Sequence, residues 1–564
     1  MFALLPLLTL VSSTLAGPRL LNFRPFMPVP DVPHDCTHDR RHSDAAADFL
    51  ILGAGMSGLA AAHYLHAQTV NCTIRILEAT ALPGGRVHTH HSGPFKGIEK
   101  GAGWIHDYQN HPMLAVAHWA GIRTQFVGGN SSYIGGENIR VFDGNEELTP
   151  VERLHSDTLI KALLYGVDVH VEGRKYHGHP DMPVLDSMRH LAPAFDLADD
   201  DKRMLRWHVD VIFGGDWAAP LGNMSLMNME HGSLANEGGD CVFPDGFGQV
   251  PGALADGLDI QYNTVARSIR WSSDGTDVYD ANNKKWSGRR LLVTPSIGVL
   301  RSGDLQFQPS LPQWKTDAIE KVEMASLNRI MLRFPRPFWP DNTYTFGFLP
   351  GPVRPDRDWL LEPVFSIAVV ASSEGRHSED GSAILTFMVG GDSATTILQQ
   401  SKDKIVAHLM HLLRDAFGSN VPDPTDSRIA GWADEPYARG AYSYLPVGTS
   451  ATDDVPILYR PLNHTLFFAG EATMTGSDRG TTHGAFLSGI REAARMLGHQ
   501  SVVEDIEQGD DVVLPHQYGR SSDSRVKGLM VDGWFRPESL ADWDWLQCGP
   551  PQRPDQKSKL VVQN

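Results

Sequence analysis

Apolar residues along the chain form two patterns that alternate. Residues 47–52, with the sequence ADFLIL, are apolar apart from Asp48, which predicts a buried strand that ends at Gly53. Residues 56–65 have helical spacing and good helix formers, and residues 73–79 predict a second strand. Far along the chain, residues 464–498 again predict a strand, a glycine turn and a long helix. This alternation predicts an α/β fold.

The first of these turns has the spacing of a dinucleotide-binding site. A G-x-G-x-x-G motif lies between the strand and its helix and comprises Gly53, Gly55, Met56, Ser57 and Gly58. Its glycines allow a tight turn, close approach of a pyrophosphate and close helix–strand packing, and the free N–H groups of the helix face phosphate. Glu78 ends the next strand, where a carboxylate accepts hydrogen bonds from ribose hydroxyls.

A second glycine pair indicates which dinucleotide binds. Gly84 and Gly85 allow close backbone approach, and Arg86 offers a fixed positive group for phosphate. A nicotinamide-binding domain has no need of this extension, whereas a permanently bound FAD must be held beyond the first βαβ unit. The sequence therefore favours FAD. The alternative is a surface turn with a solvated arginine.

The composition is that of a soluble globular protein, with 41% hydrophobic and 21% charged residues. A length of 564 residues exceeds what one core usually holds, so two or more domains are expected. The net charge of −18 argues against nucleic acid as a partner, because phosphate backbones need lysine and arginine stripes. The acidic balance is compatible with a cationic substrate, or with solubility alone.

The first residues predict export. An apolar run over residues 1–16 ends in small residues that suit cleavage before Gly17, and the run is too short to span a membrane. Residues 17–45 predict an extended lead-in, and no later stretch predicts a membrane span. Glycosylation sequons lie at Asn71, Asn130, Asn223 and Asn463. We therefore expect a secreted glycoprotein.

The chain has four cysteines: Cys36, Cys72, Cys241 and Cys548. No pair has CxxC spacing, so a zinc cluster is not predicted. If all four form disulfides, three connectivities are possible, among them one in which a Cys36–Cys548 bridge ties the terminal regions together. No metal site is predicted for the neighbouring histidines at positions 88, 90 and 91.

Five motifs follow one another along the chain: LEATALPGGRV at 77–87, KGAGWIHD at 100–107, TPSIGVL at 294–300, WADEPYARGAYSYLPVG at 432–448 and FFAGEATMTGSDRGTTHGAFLSGIREAARML at 467–497. With this combination the chain resembles the flavin-containing amine oxidases over roughly residues 46–498. The branch it resembles most is that of the polyamine and spermine oxidases, with the related lysine-specific histone demethylases.

The resemblance implies a discontinuous, Rossmann-like FAD-binding domain and an α+β substrate-binding domain. The expected FAD-binding segments are 46–110, 235–310 and 431–498, and the expected substrate-domain segments are 111–234 and 311–430. A polar, loop-like C-terminal tail is expected over residues 499–564. The late glycine turn would then close over the flavin.

The resemblance also implies cofactor contacts at matching positions. Gly101, Ala102, Gly103 and Trp104 would run beside the flavin, Val265 and Ala266 would contact the adenine, Glu471 would bind the ribityl or phosphate region, and Thr481 and Thr482 would face the flavin ring. The monoamine oxidase branch has a flavin-bonding Cys at the position of Ala441. FAD is therefore expected to be bound non-covalently.

Three residues match positions that the family uses in catalysis. His106 would lie near the entrance of the substrate cavity, and Tyr442 would be the aromatic residue that flanks the amine, where a ring also attracts a cation. Arg329 stands where the family usually has a Lys that holds a water against the flavin and serves its reoxidation. Each residue also has a purely structural alternative. His106 would be a histidine whose hydrogen bonds are satisfied within the protein, Tyr442 would share one face of a strand with Tyr444, and Arg329 would be a basic residue on a strand.

The implied reaction is oxidation of a C–N bond of a polyamine-like amine to an imine, which is hydrolysed to an aldehyde and an amine while O₂ becomes H₂O₂. Because Arg stays charged where a buried Lys can lose its proton, Arg329 predicts slow reoxidation. Two alternatives remain. One is an FAD oxidase of an amino acid or specialised metabolite, with a carboxylate bound by Arg329. The other is a non-catalytic flavin-binding protein.

Overall fold

The structure is a computed structural model that describes residues 34–36, 46–106, 111–128, 139–229, 239–340, 343–376, 378 and 380–507. The predicted signal peptide, most of the lead-in, Asn130, Cys548 and most of the C-terminal tail lie outside the described residues.

The strands are, in chain order, β1 (His34–Asp35), β2 (Ala46–Leu52), β3 (Thr69–Val70), β4 (Ile74–Leu77), β5 (Trp104–His106), β6 (Gln125–Gly128), β7 (Ile139–Asp143), β8 (Glu146–Glu147), β9 (Asp240–Val242), β10 (Ile260–Gln261), β11 (Ala266–Trp271), β12 (Thr276–Asp280), β13 (Lys285–Val293), β14 (Gln306–Gln308), β15 (Glu323–Met324), β16 (Leu327–Phe334), β17 (Thr345–Phe348), β18 (Ile367–Val370), β19 (Ala383–Gly390), β20 (Asp426–Ala430), β21 (Ser443–Tyr444) and β22 (Leu466–Phe468).

The α-helices are α1 (Met56–Gln68), α2 (Pro112–Trp119), α3 (Pro150–His177), α4 (Val184–Leu191), α5 (Asp199–Val209), α6 (Gln249–Ala255), α7 (Ile297–Arg301), α8 (Gln313–Lys321), α9 (Gly391–Ile397), α10 (Lys402–Phe417), α11 (Asp454–Tyr459), α12 (Thr482–Leu497) and α13 (Gln500–Glu507). A π-helix covers Asp210–Trp217, and short 3₁₀-helices include Glu471–Thr473 and Gly476–Asp478.

The larger sheet joins strands from distant parts of the sequence. Its order is β10-β4-β2-β13-β12-β11-β14, and β22 also pairs with β13. The pairs β2–β4, β2–β13 and β13–β22 are all parallel. Alternate residues of β2 are buried in two different clusters, Phe49 and Ile51 in one and Leu50 and Leu52 in the other, as expected of a parallel strand covered on both faces. The first and last predicted strand–turn–helix units therefore belong to one sheet.

Helices α1 and α12 pack closely on one face of this sheet. The hydroxyl oxygens of Ser57 and Ser488 are 3.2 Å apart. Gly489 lies so close to α1 that a Cβ atom there would be 2.0 Å from the Ser57 carbonyl oxygen. This contact holds the two turns that precede these helices next to each other.

A second sheet has the order β20-β16-β19-β18-β17-β7-β8 and is mostly antiparallel. Its core is rich in phenylalanine and is covered by α10, which buries Ile405, Leu409 and Leu413. A small sheet, β5-β9-β6, pairs His106 with Asp240. The mixed architecture agrees with the predicted fold class, while the domain boundaries stay a prediction.

The structure contradicts one sequence-based expectation and excludes one of the disulfide pairings that the sequence left open. The tail does not turn loop-like at residue 500, because α13 forms there. Its buried residues, Val503 and Ile506, are three residues apart, which is a helical spacing. Cys36 forms its disulfide with Cys72, so a Cys36–Cys548 bridge is excluded. Within the described part of the chain, no helix is both long and apolar enough to cross a membrane.

The contact between α1 and α12 predicts that Gly489→Ala destabilises the protein by about 2 kcal/mol and weakens FAD retention, because the added methyl group overpacks the interface. Gly173→Ala on α3 is the matched control, since no atom lies within 4 Å of its Cβ position. It should leave stability unchanged or raise it by up to about 1 kcal/mol. Thermal unfolding and the flavin-to-protein ratio measure both effects. Equal behaviour of the two variants would contradict the prediction.

Candidate active site

One cavity of about 1910 Å³ lies at the carboxyl ends of the parallel strands β2, β4, β13 and β22. Of the residues predicted to bind cofactor or act in catalysis, all but Gly58 line it: Gly53, Gly55, Met56, Ser57, Glu78, Arg86, Gly101, Ala102, Gly103, Trp104, His106, Val265, Ala266, Arg329, Tyr442, Glu471, Thr481 and Thr482. The structure thus brings these residues together, and their individual roles stay predictions.

The first glycine turn has the geometry of a phosphate cradle. Gly53 has a φ of 105°, and a Cβ atom at Gly58 would be 2.0 Å from the Gly53 carbonyl oxygen, so Gly58 serves close packing. No atom lies within 4 Å of the Cβ position of Gly55. Gly55 precedes α1 without a side-chain cap, and the first turn of α1 has no acidic residue. The helix N-terminus can therefore hold the pyrophosphate of FAD.

Glu78 is fixed at the end of β4 by three donors. Its Oε2 accepts from the Ala54 N–H at 2.7 Å, and its Oε1 accepts from the N–H and hydroxyl of Thr80 at 2.8 and 2.7 Å. A carboxylate oxygen can accept more than one hydrogen bond, so the group can still bind ribose hydroxyls. This fits the predicted role.

An ion pair joins the extension after Glu78 to the late turn. Arg86 Nη1 lies 2.8 Å from Glu471 Oε1 and also donates to the Ala441 carbonyl at 3.0 Å. Glu471 Oε2 accepts from the hydroxyl of Ser443 at 2.7 Å. Because Arg86 neutralises Glu471, this buried carboxylate can lie beside an anionic cofactor.

The late turn adds a second helix N-terminus to the same cavity. Gly470 has a φ of 131°, and its N–H donates to Ser488 Oγ at 2.9 Å. Thr481 caps α12 by accepting from the Gly484 N–H at 2.9 Å, and the first turn of α12 has no acidic residue. The two turns, about 400 residues apart in sequence, thus build one anion-binding cradle.

Tyr442 connects this cradle to the other end of the cavity. Its hydroxyl donates to the backbone carbonyls of Asp216 at 2.8 Å and Gly215 at 3.3 Å. Burial, and next the charge of Asp216, raises the pKa of Tyr442, so the phenol stays protonated. Tyr444 also lines the cavity, but its hydroxyl donates to Glu323 at 2.7 Å, which ties it to the scaffold.

His106 is paired with a buried carboxylate. Its Nδ1 lies 2.8 Å from Asp240 Oδ1, while 49% of the His106 side chain remains exposed. The pairing orients the ring and directs its other nitrogen away from Asp240. The ring lines the cavity, where we predicted a substrate role.

Arg329 packs against Trp104. Its guanidinium carbon is 4.8 Å from the ring centroid, and Nη2 donates to the Gly101 carbonyl at 2.9 Å. The Trp104 N–H donates in turn to the Tyr344 hydroxyl at 2.5 Å, and Tyr344 donates to Glu374 at 3.2 Å. Arg329 therefore belongs to a buried polar network that fixes Trp104.

Asp216 also lines the cavity, although it was not predicted from the sequence as a site residue. The signal was weak: the pair Gly214–Gly215 interrupts a helical pattern, but it does not show that the next side chain enters a site. Desolvation by the surrounding protein raises the pKa of Asp216 to about 6, although the residue is exposed at the cavity; nearby His106 opposes this shift and Asp240 adds to it.

The neighbouring histidines do not converge. The His88 ring is 6.1 Å from that of His90 and 5.8 Å from that of His91, between centroids. Across the described residues, the one set of three potential ligands whose donor atoms converge is Cys36, Asp48 and Cys72, and its two sulfurs form the disulfide.

Comparison with known proteins agrees with this geometry. The model of the family described as flavin containing amine oxidoreductase matches residues 56–497. Protein FLOWERING LOCUS D of Arabidopsis thaliana is 30% identical over 462 residues, which cover 79% of this chain and 55% of that protein. Lysine-specific histone demethylase 1 homolog 2 of Oryza sativa subsp. japonica is 28% identical over 483 residues, 84% of this chain and 59% of that protein.

A structure of putrescine oxidase bound to putrescine shares the fold, with a TM-score of 0.61, 19% identity and coverage of 80% of this chain and 99% of that one. The chain spans a little over half the length of the two curated relatives named above.

The chain belongs to the flavin-containing amine oxidoreductase family. The predicted family and the predicted fold class are therefore confirmed, and the family's description, flavin containing amine oxidoreductase, matches the predicted class of enzyme. FAD is its cofactor, and the glycine cradle, Glu78 and the two helix N-termini fit that group.

Proposed function

We propose that the protein oxidises a C–N bond of a polyamine-like amine. One amine, one O₂ and one water would give one aldehyde, one shorter amine and one H₂O₂, through an imine that water hydrolyses. The supporting observation is that the dinucleotide cradle continues into an end of the same cavity lined by Trp104, Tyr442 and Asp216. Bound FAD supplies the acceptor for the hydride of the carbon next to nitrogen and the site of reaction with O₂.

The side chains at this end suit an amine that carries further positive charge. Trp104 and Tyr442 offer aromatic faces that orient an amine and exclude water. Asp168 and Asp216 contribute negative charge to the lining. Arg329 donates to Gly101 and lies against Trp104, which disfavours the alternative in which it binds a substrate carboxylate.

A substrate panel tests this proposal. The purified holoenzyme is mixed without oxygen with putrescine, spermidine, spermine, a dimethyl-lysine peptide or an L-amino acid, and loss of the oxidised flavin absorption is followed. We expect the polyamines to reduce the flavin fastest. Faster reduction by the peptide would favour the activity named for the demethylase relatives, and faster reduction by the amino acid would favour a carboxylate anchor. No reduction by any of them would favour a non-catalytic protein.

Arg329 generates a prediction about the reaction with oxygen. Arg329→Lys replaces a permanent charge with an amine that can lose its proton in a buried site. We expect reoxidation of the reduced enzyme to become faster by about tenfold or more, with little change in reduction by amine. Stopped-flow mixing with amine, and separately with oxygen, measures the two steps.

Arg333→Lys is the matched control, because Arg333 lies on the same strand but pairs with Asp426 away from the cavity. It should change neither step. If Arg329→Lys also changes neither step, Arg329 is a structural residue. If it instead abolishes turnover of one acidic substrate, Arg329 is a carboxylate anchor.

We also propose that the protein enters the secretory pathway. The apolar first 16 residues, the sequons and the Cys36–Cys72 disulfide support this, because disulfides persist in oxidising compartments. Asn71 and Asn463 are exposed, with φ of 55° and 50°. The Asn71 amide donates one long hydrogen bond to Asp35, at 3.4 Å, whereas the amide of the half-buried Asn223 donates two shorter ones, to Glu323 and Tyr444, at 3.2 and 2.9 Å.

Glycopeptide mapping of protein from the native host should therefore find a mature chain that begins near Gly17, with glycans at Asn71 and Asn463 but not at Asn223. The hydrogen bonds of the Asn223 amide would have to break before a glycan could attach. An intact Met1 on an unglycosylated chain would contradict the secretory proposal.

A further inference from the structure

Helix α3 has apolar residues on two opposite faces. One face packs into the protein, and its buried apolar residues are Ile160, Leu163, Leu164, Val167 and Val171. The other face is exposed, with exposed fractions between 55% and 86% for Val151, Leu154, Tyr165, Val169 and Tyr176. Ten large apolar side chains are exposed among the described residues, and these are five of them, so exposed apolar surface is concentrated on one helix. Exposed apolar residues that cluster in this way indicate an interaction surface.

The exposed face of α3 repeats every 11 residues. The first position of the repeat is occupied by Val151, Ala162 and Gly173, the second by Leu154, Tyr165 and Tyr176, and the third by Thr158 and Val169. Eleven residues make almost exactly three helical turns, so these side chains form one straight stripe along the helix. None of them is charged. We call this set of residues the α3 stripe.

The α3 stripe is complementary to a second copy of itself that runs in the opposite direction. Two copies of α3 can pack antiparallel about a twofold axis that passes midway between Leu163 and Leu164. Each stripe residue then lies level with a stripe residue of the other copy, in the layers Val151 with Tyr176, Leu154 with Gly173, Thr158 with Val169, and Ala162 with Tyr165. Three of these four layers place a large side chain beside a smaller one, which allows the side chains of the two helices to interdigitate.

Charges along one edge of the α3 stripe also match. Lys161 and Asp168 are seven residues apart, so they lie on the same edge of the helix. In the antiparallel arrangement this edge faces the same edge of the second copy. Lys161 of one copy and Asp168 of the other are then offset by only about 3 Å along the helix axis. The twofold axis forms this pair twice, whereas in a parallel arrangement the edge would face the opposite edge and the two residues would not meet.

We propose that α3 is a self-association surface through which two copies of this chain form an antiparallel, twofold dimer. The α3 stripe, about 38 Å long, supplies the apolar contact, and the pair of Lys161 with Asp168 sets the orientation. A membrane surface is the less favoured occupant, because a membrane-binding helix has an excess of lysine and arginine beside its apolar face. Helix α3 instead carries as many aspartates and glutamates as lysines and arginines. The inference does not depend on the proposed amine oxidation.

Sedimentation velocity of the purified full-length holoenzyme, over a range of protein concentrations, tests the dimer. The unaltered protein should approach twice the mass of one chain as its concentration rises. Tyr165→Glu places two acidic groups beside the twofold axis and should weaken dimerisation by about tenfold or more. Val447→Glu is the matched control, because Val447 is an exposed apolar residue outside α3, and it should leave the dimer unchanged. Melting temperature and flavin content show whether each variant is folded.

Cysteine cross-linking tests the antiparallel orientation. The two copies of residue 162 lie about 4.5 Å apart along the axis in the proposed dimer, whereas the two copies of residue 176 lie about 38 Å apart. Ala162→Cys should therefore form a disulfide-linked dimer on mild oxidation, and Tyr176→Cys should not. Lys161→Asp and Asp168→Lys should each weaken the dimer by about fivefold, and the double variant should restore it because opposite charges face each other again.

Four results would overturn the proposal. They are a monomer at every concentration, a dimer that Tyr165→Glu leaves unchanged, an equal loss in Val447→Glu, and equal cross-linking of the two cysteine variants. A monomer that binds vesicles of anionic phospholipid, and loses this binding in Tyr165→Glu, would assign the α3 stripe to a membrane surface instead.

Discussion

The ion pair between Arg86 and Glu471 is the contact on which the site depends. It joins the extension of the first nucleotide-binding unit to the last strand–turn–helix unit of the sheet, at 2.8 Å. The partners also hold the two neighbours of Tyr442: Arg86 donates to the Ala441 carbonyl, and Glu471 accepts from Ser443. Tyr442 is thus fixed from both sides by the pair that closes the cofactor cradle. One interaction therefore couples cofactor binding to the position of the aromatic wall.

The charged side chains around the cavity fall into two groups, according to whether protein groups form hydrogen bonds or ion pairs with them. Arg86, Glu471 and Arg329 are satisfied by protein groups, so they shape the site and add little free charge to it. Asp216 has no donor among the described residues and faces the cavity.

Much of the fold and of the cradle could be predicted from the sequence, because it rests on local patterns. Gly53, Gly58 and Glu78 follow spacings fixed by the geometry of a strand, a turn and a helix. Contacts between distant segments could not be predicted in this way. The Cys36–Cys72 pairing, the hydrogen bonds of Asn223 and the placement of Asp216 depend on which segments meet in the fold. The helix at 500–507 was missed because its few apolar residues lie in a polar stretch and gain stability by packing on α12.

The most direct test of this account is a double-mutant cycle on FAD binding with Arg86→Met, Glu471→Gln and the double variant. Arg86→Met alone leaves a buried carboxylate near the cofactor phosphates without its partner, so it should weaken FAD binding most. The account predicts strong coupling, with the double variant binding FAD no more weakly than Arg86→Met. If the two losses in binding free energy simply add, the residues act independently, and the ion pair is not what closes the cradle.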